Sequence, residues 1–263
     1  MEQFYVTLTA NTGLLLQYGD TKILLDSIYG TQGHRFSNLP QHIWEKIQQG
    51  MPPFDHISYL LFSHDHPDHF CANRTNIYLQ KQQVKGLMLS NFVSMTDENK
   101  ALFAQIQKQN IPCVLLQKEN VKQIRYALQK DIQCKAYAMR HQGKIYENVP
   151  HFCFLLTVAG KRFLFTADVD FVEEDFSVFA DMDLSAMFVN PLFLHSKEGQ
   201  FILTDICKPK QVVVYHIPFL SDDVLHMRRM VQRHIQDTNV LALTEAMETI
   251  LWHEEKQCFL KST

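Results

Sequence analysis

The sequence predicts a layered α/β sandwich, on two observations. Short apolar strands dominate both halves of the chain, and segments with helical spacing fall between them. Residues 4–9 and 14–18 read as strands, and the Gly19-Asp20 turn leads into a third at 22–26, a hairpin signal. A polar loop holding Gly30 and Gly33 leads to 40–49, where Ile43, Trp44 and Ile47 recur at helical spacing. Residues 57–62 are nearly all apolar, as expected of a strand covered on both faces. That run stops at Ser63-His64-Asp65-His66-Pro67-Asp68-His69, whose polarity and proline mark a loop. A helix is expected near 72–83.

The middle and end of the chain continue the alternation. Residues 87–89 suggest a strand, 97–109 a helix and 113–116 another strand, while 121–128 and 132–139 fit strands of a second sheet. Residues 152–158, Gly160 and 162–166 form a second hairpin pattern that ends at Ala167-Asp168. Then come a strand at 186–189, a helix at 197–206, a strand at 212–215 and a helix at 222–235. Residues 240–252 fit either type. No repeat, low-complexity linker or composition shift divides the chain, so 1–263 reads as one domain.

Composition excludes several classes. Hydrophobic residues make up 46% and charged residues 20%, ordinary globular proportions. A formal charge of −3 provides no basic field for holding phosphates, so nucleic acid is not an expected partner. The nine glycines lie at 13, 19, 30, 33, 50, 86, 143, 160 and 199. No two are two, four or five apart, which excludes the G-x-G-x-x-G, G-x-S-x-G and P-loop spacings. The six cysteines form no C-x-x-C and read as reduced thiols. The opening Met-Glu-Gln-Phe-Tyr lacks a basic n-region, and no stretch approaches about eighteen consecutive apolar residues. A cytoplasmic protein without a membrane span is therefore expected, with homo-oligomerisation left open.

The histidines decide the chemistry. His64-x-His66-x-Asp68-His69 sets four ligand-type side chains close together directly after an apolar strand. In extended backbone, residues two apart point the same way, so His64 and His66 can approach one ion. The chain then turns, and Asp68 and His69 can address a neighbouring point. Imidazole and carboxylate suit zinc, manganese or iron(II). Asp26, Asp168 and His216 end three other strands, and His141 follows a fourth. Loops at strand ends converge on one rim in layered α/β folds. Alone, an aspartate there reads as a turn former. With the motif, these residues complete a constellation for two metals.

On these residues the chain resembles the metallo-β-lactamase superfamily, the four-layer αβ/βα sandwich hydrolases. The match runs from the opening hairpin to His216. The resemblance implies one divalent metal, most simply zinc with manganese or iron as alternatives, held by His64, His66 and His141. It implies a second held by Asp68, His69 and His216, with Asp168 bridging the two. Asp68 and Asp168 are then the catalytic carboxylates, and Asp26 supports the metal loop from behind. Two positions depart from the pattern: Ala167 stands where glycine is frequent before the bridging Asp, and Ser27 where proline or threonine is common. Diiron members that reduce oxygen or NO carry Glu at the His66 position, so His66 implies hydrolysis.

The implied activity is cleavage of an ester, lactone or phosphoester of a small metabolite by water activated between two metals. The absence of a fused domain is similar to small stand-alone members such as lactonases. A phosphodiesterase or nuclease of the same fold is the alternative, and a non-catalytic metal-binding module a more distant one. His34 and His195 are candidates for substrate binding. The loop 27–53 can roof the site, and its Tyr29, His34, Arg35 and Phe36 suit a small anionic ligand. The remaining histidines, His151 among them, read as surface or helix-face residues, and Arg74, Arg140 and Arg162 as solvated.

Overall fold

The computed structural model describes residues 2–91, 95–117, 123–235 and 239–262. Its first half opens with the antiparallel strands β1 (Phe4–Ala10), β2 (Gly13–Tyr18) and β3 (Thr21–Leu25). Three parallel strands extend that sheet: β4 (Tyr59–Leu61), β5 (Gly86–Ser90) and β6 (Cys113–Leu116). The second half repeats the plan. Antiparallel β7 (Gln123–Gln129), β8 (Ile132–Met139), β9 (His151–Val158) and β10 (Lys161–Phe165) precede parallel β11 (Ala186–Val189), β12 (Val212–Val214) and β13 (Val240–Ala242). The last two strands, β14 (Thr249–His253) and β15 (Cys258–Lys261), return to the first sheet beside β1. The sheet orders are β15-β14-β1-β2-β3-β4-β5-β6 and β13-β12-β11-β10-β9-β8-β7.

Strand alternation builds the layers. Leu14 and Leu16 of β2 enter the core between the sheets, while Leu15 joins the core under the helices. On β10, Phe163 and Phe165 face the first sheet and Leu164 faces outward. The outer face of the first sheet is covered by α1 (Gln41–Gln49), α2 (Ala72–Lys81) and α3 (Asp97–Lys108), through residues such as Ile43, Leu79 and Leu102. The second sheet is covered by α4 (Glu173–Phe176), α5 (Leu192–His195), α6 (Lys197–Phe201) and α7 (Met227–Gln232), through Phe176, Phe193 and Val231. The result is a four-layer αβ/βα sandwich, as the sequence predicts.

Several boundaries differ from expectation for identifiable reasons. The helix expected over 222–235 is reduced to α7, because His226 sits in left-handed backbone at φ 54° and breaks the preceding turn. Asp223 then accepts from the amides of Met227 and Arg228 at 2.7 and 2.9 Å, supplying partners for the new helix start. The helix expected over 197–206 changes at Ile202 from α to the wider π form, ending at Cys207. Of the strand expected at 121–128, Val121 and Lys122 lie outside the described residues. The ambiguous 240–252 segment proves to hold two strands, β13 and the start of β14, in different sheets.

Candidate metal centre

Three strands that lead to the site stop one residue short of prediction, at Leu25, Phe165 and Val214. Beyond each stop lies a non-glycine residue in left-handed backbone: Asp26 at φ 49°, Ala167 at φ 48° and His216 at φ 59°. That conformation costs an ordinary residue about 1–2 kcal/mol. Its effect is to break the pleat at the rim. The loops are tied together there: Gln142 N–H donates to Asp168 O at 2.8 Å, Phe152 N–H to Ser63 O at 3.0 Å, and His216 N–H to Asn11 O at 2.9 Å.

The structure brings His64, His66, His141 and Asp168 into one group, and Asp68, His69, Asp168 and His216 into a second. The ligand atoms of each group all lie within 4.8 Å of one another. Asp168 belongs to both. Its Oδ2 lies 3.9 Å from His64 Nε2 and 4.0 Å from His141 Nε2, and its Oδ1 lies 3.2 Å from His216 Nε2. Asp68 Oδ2 lies 3.6 Å from His69 Nε2 and 3.5 Å from His216 Nε2.

The surrounding bonds set which nitrogen faces inward. Asp26 is buried and accepts from Ser63 N–H at 2.8 Å and Ser63 Oγ at 2.6 Å. Ser63 Oγ, having given its proton to Asp26, can accept from His64 Nδ1 at 2.9 Å. His69 Nδ1 donates to Asp26 Oδ2 at 3.0 Å, and His141 Nδ1 to Gln142 O at 2.8 Å. All three imidazoles therefore present Nε2 to the cluster. Those Nε2 atoms and Asp68 Oδ2 are buried and have no hydrogen-bond partner among the described residues. Orphan buried polar atoms cost about 1–3 kcal/mol each. A pair of divalent cations would satisfy them all, so the residues present fit a dinuclear metal site.

Electrostatics agree with that fit. Burial holds His64 well below the usual imidazole value, with His69 adding to the effect, and burial also lowers His66 and His141. These shifts favour the neutral imidazole, the form that can bind a cation. For His69, burial acts downward, but the nearby carboxylates of Asp168 and Asp68 and the bond to Asp26 outweigh it and raise the group well above its usual value. Burial opposes the charge of Asp168, yet His216 and His69 hold it well below the usual carboxylate range. Negative charge is thus maintained where a cation would sit.

Other expectations are placed differently. His34 lies in the loop packed on the metal loop, where Gly30 N–H donates to Pro67 O at 2.8 Å. Its own ring bonds back to Gly30 O at 3.3 Å. His195 is exposed at the end of α5, outside both groups. Phe36 packs its ring 4.5 Å from that of His216, while Tyr29 and Trp44 belong to the core under the helices. Arg74 is committed to Tyr29 O at 2.9 Å and to the Trp44 face, and Arg140 to Asp175 at 2.8 Å.

His151, read from sequence as an ordinary surface or helix-face histidine, lies fully buried behind the ligands. Its Nε2 accepts from Asp168 N–H at 3.1 Å, and its ring stands 5.2 Å from His64 and 5.5 Å from His141. The available signal was a histidine opening an otherwise apolar strand. A cavity of about 570 Å³ lies at the opposite end of the sandwich, among Phe4, Phe163 and Trp252. Among the described residues its lining forms no such group, and both groups lie at the other rim.

No protein-family model matches this sequence, and no curated protein matches it with statistical significance. Solved structures do. Igni18, a metallo hydrolase from the archaeon Ignicoccus hospitalis, superposes with a TM-score of 0.62 at 12% identity, over 95% of this chain and 99% of its own. YhfI, a metallo-β-lactamase fold protein from Bacillus subtilis, gives 0.57 at 13% identity, over 95% and 100%. CmlA, a diiron β-hydroxylase from Streptomyces venezuelae, gives 0.58 at 13% identity over 95% of this chain, which spans only 54% of CmlA. The chain thus has the metallo-β-lactamase fold, and the structures similar to it include both a metallo hydrolase and a diiron hydroxylase. The activity must be argued from the site.

Proposed function

We propose that this protein is a dinuclear metal-dependent hydrolase that cleaves an ester, lactone or phosphoester of a small molecule. The observation that carries this reading is Asp168, one carboxylate shared by two complete ligand groups. When bound, two divalent cations lower the pKa of a shared water toward ~7 and withdraw charge from the substrate oxygen. The chain's residues do the rest. Asp168 fixes the spacing of the two groups. Asp68 Oδ2, which faces the cluster, accepts from the attacking water and orients it. Buried Asp26, through Ser63 and His69, keeps the ligand nitrogens aimed.

Zinc suits the five histidines and two aspartates best, with manganese and iron as alternatives. His66 in place of a carboxylate supports hydrolysis over oxygen chemistry. Polynucleotide substrates are disfavoured by the −3 charge. Six unpaired cysteines support placing the protein in the cytoplasm.

The test is metal analysis followed by a screen of lactones, carboxylic esters, thioesters and phosphodiesters. Two metals per chain and turnover of a small substrate, both lost in His66→Ala with the fold retained, are expected. Wild-type turnover by purified His66→Ala, or efficient cleavage of a tRNA precursor, would overturn the reading.

A further inference from the structure

Apolar side chains stand on both flanks of the ligand cluster. The loop after His141 carries Tyr146, whose ring lies edge-on at 4.7 Å from His66 and 5.1 Å from His141. Tyr146 is 40% exposed and its neighbour Ile145 is 84% exposed. Against the second group, Phe36 lies edge-on to His216. The loop after His216 is fixed beside Phe36 by Phe219 N–H donating to Ser37 Oγ at 2.7 Å, and it leaves the adjoining Leu220 81% exposed. A single exposed leucine or isoleucine is ordinary on a protein surface. Two aromatic rings, Tyr146 against the first group and Phe36 against the second, flank one donor cluster and mark a binding surface.

Charge narrows what that surface takes. Arg74 and Arg140 are held by the scaffold, and Arg228 bonds Pro218 O and Thr244 O at 3.3 Å and pairs with Glu245. Arg35 and Lys144, beside Phe36 and Ile145 in the chain, are exposed to solvent, where a lone charge is screened within about 10 Å. The side chains packed against the two groups are aromatic.

We infer that the substrate is a carboxylic ester, thioester or lactone carrying an apolar acyl or aryl group, held between Tyr146 and Phe36. This rests on the hydrolase reading and narrows it. Water adds to the carbonyl carbon, the acyl–oxygen or acyl–sulfur bond breaks, and the alcohol or thiol leaves with one of the water's protons. The other proton is released as the acid ionises. Each methylene taken between the flanks raises kcat/KM by up to about fourfold.

The experiment uses the full-length zinc-loaded protein. p-Nitrophenyl esters from acetate to octanoate are compared with p-nitrophenyl phosphate, and acetate and octanoate binding are measured by calorimetry. The expected result is a rise in kcat/KM of at least about tenfold with chain length, mainly through KM. Octanoate should bind at least about tenfold tighter than acetate, and Tyr146→Ser/Phe36→Ser should abolish both trends with both metals retained. Equal binding of the two acids, a flat ester series, or preference for the phosphate overturns the inference and leaves the hydrolase reading intact. Failure to turn over any substrate class, with both metals bound, removes the hydrolase reading, while the binding arm still judges the apolar surface.

Discussion

Replacing His151 tests whether the bridging carboxylate is positioned from behind. His151 accepts the amide of Asp168, which has no other acceptor among the described residues. The neighbouring Ala167 is in left-handed backbone, held by its N–H to Tyr215 OH at 3.1 Å and by Asn190 Nδ2 donating to Ala167 O at 3.1 Å. His151→Leu keeps the volume and removes the acceptor, at about 1–3 kcal/mol for an amide left unpaired. It also removes buried Nδ1, which has no partner among the described residues, and returns a similar amount. Global stability should therefore change by less than about 1 kcal/mol. The unpaired amide should instead loosen Asp168, and metal affinity should fall about 10–100-fold, as for other outer partners of ligands. That is about 1.4–2.8 kcal/mol, the size of one amide bond lost. Competition against a chromophoric chelator measures affinity, the Co(II) visible spectrum reports geometry, and thermal unfolding reports the fold. His151→Gln places an acceptor near the old Nε2 and should restore both affinity and spectrum. Wild-type affinity in His151→Leu, or no rescue by Gln, would refute the positioning role.

Three further outcomes are expected. Asp26→Ala should weaken metal binding about 10–100-fold, because Ser63 and His69 lose their shared acceptor, with Asp26→Asn intermediate; equal affinity by chelator competition in all three proteins would exclude that role. At Ala167, glycine should be tolerated within about 1 kcal/mol, since relief of left-handed strain offsets lost burial and chain entropy, whereas valine should cost more than about 2 kcal/mol; urea unfolding decides, and a tolerated valine counts against the strain. The metal-free protein should lose stability as pH falls below ~6.5. Burial keeps His64 and His151 neutral when folded, so the unfolded chain binds more protons there, costing up to about 1.4 kcal/mol per pH unit for each. His69 is raised, so its stabilisation is complete below ~6.5 and is lost only on going up. A urea midpoint that stays level or increases from pH 7 to 5 contradicts this.

What was legible in the sequence follows from how each feature is encoded. The ligands announce themselves because their chemistry lies in residue type, packed into one short loop and repeated at strand ends. The layers are legible because Leu14 to Leu16 and Phe163 to Phe165 are apolar at every position, as a strand covered on both faces requires, and they supply side chains to the cores on either side. His151 was not legible, because its bond is to a backbone amide seventeen residues away and leaves no pattern of residue types. The substrate is less legible for a related reason. Arg35 and His34 in the roof loop suggested an anion, but exposure and partners, which a sequence does not print, put Tyr146 and Phe36 against the ligands instead.

The three left-handed residues give a physical reason why this rim can be precise. A strand continued one residue further would send the next side chain along the pleat, into the core or the helices. Breaking the pleat at Asp26, Ala167 and His216 turns the carboxylate, the bridging loop and the imidazole across the sheet ends. The strain, about 1–2 kcal/mol at each, is small against the packed strands beneath, whose residues at Leu25, Phe165 and Val214 are almost wholly buried. Glycine before Asp168 would relieve that strain but leave the loop freer to open. Alanine there makes the bonds from Tyr215, Asn190 and His151 more consequential, because they hold a conformation the chain would otherwise leave.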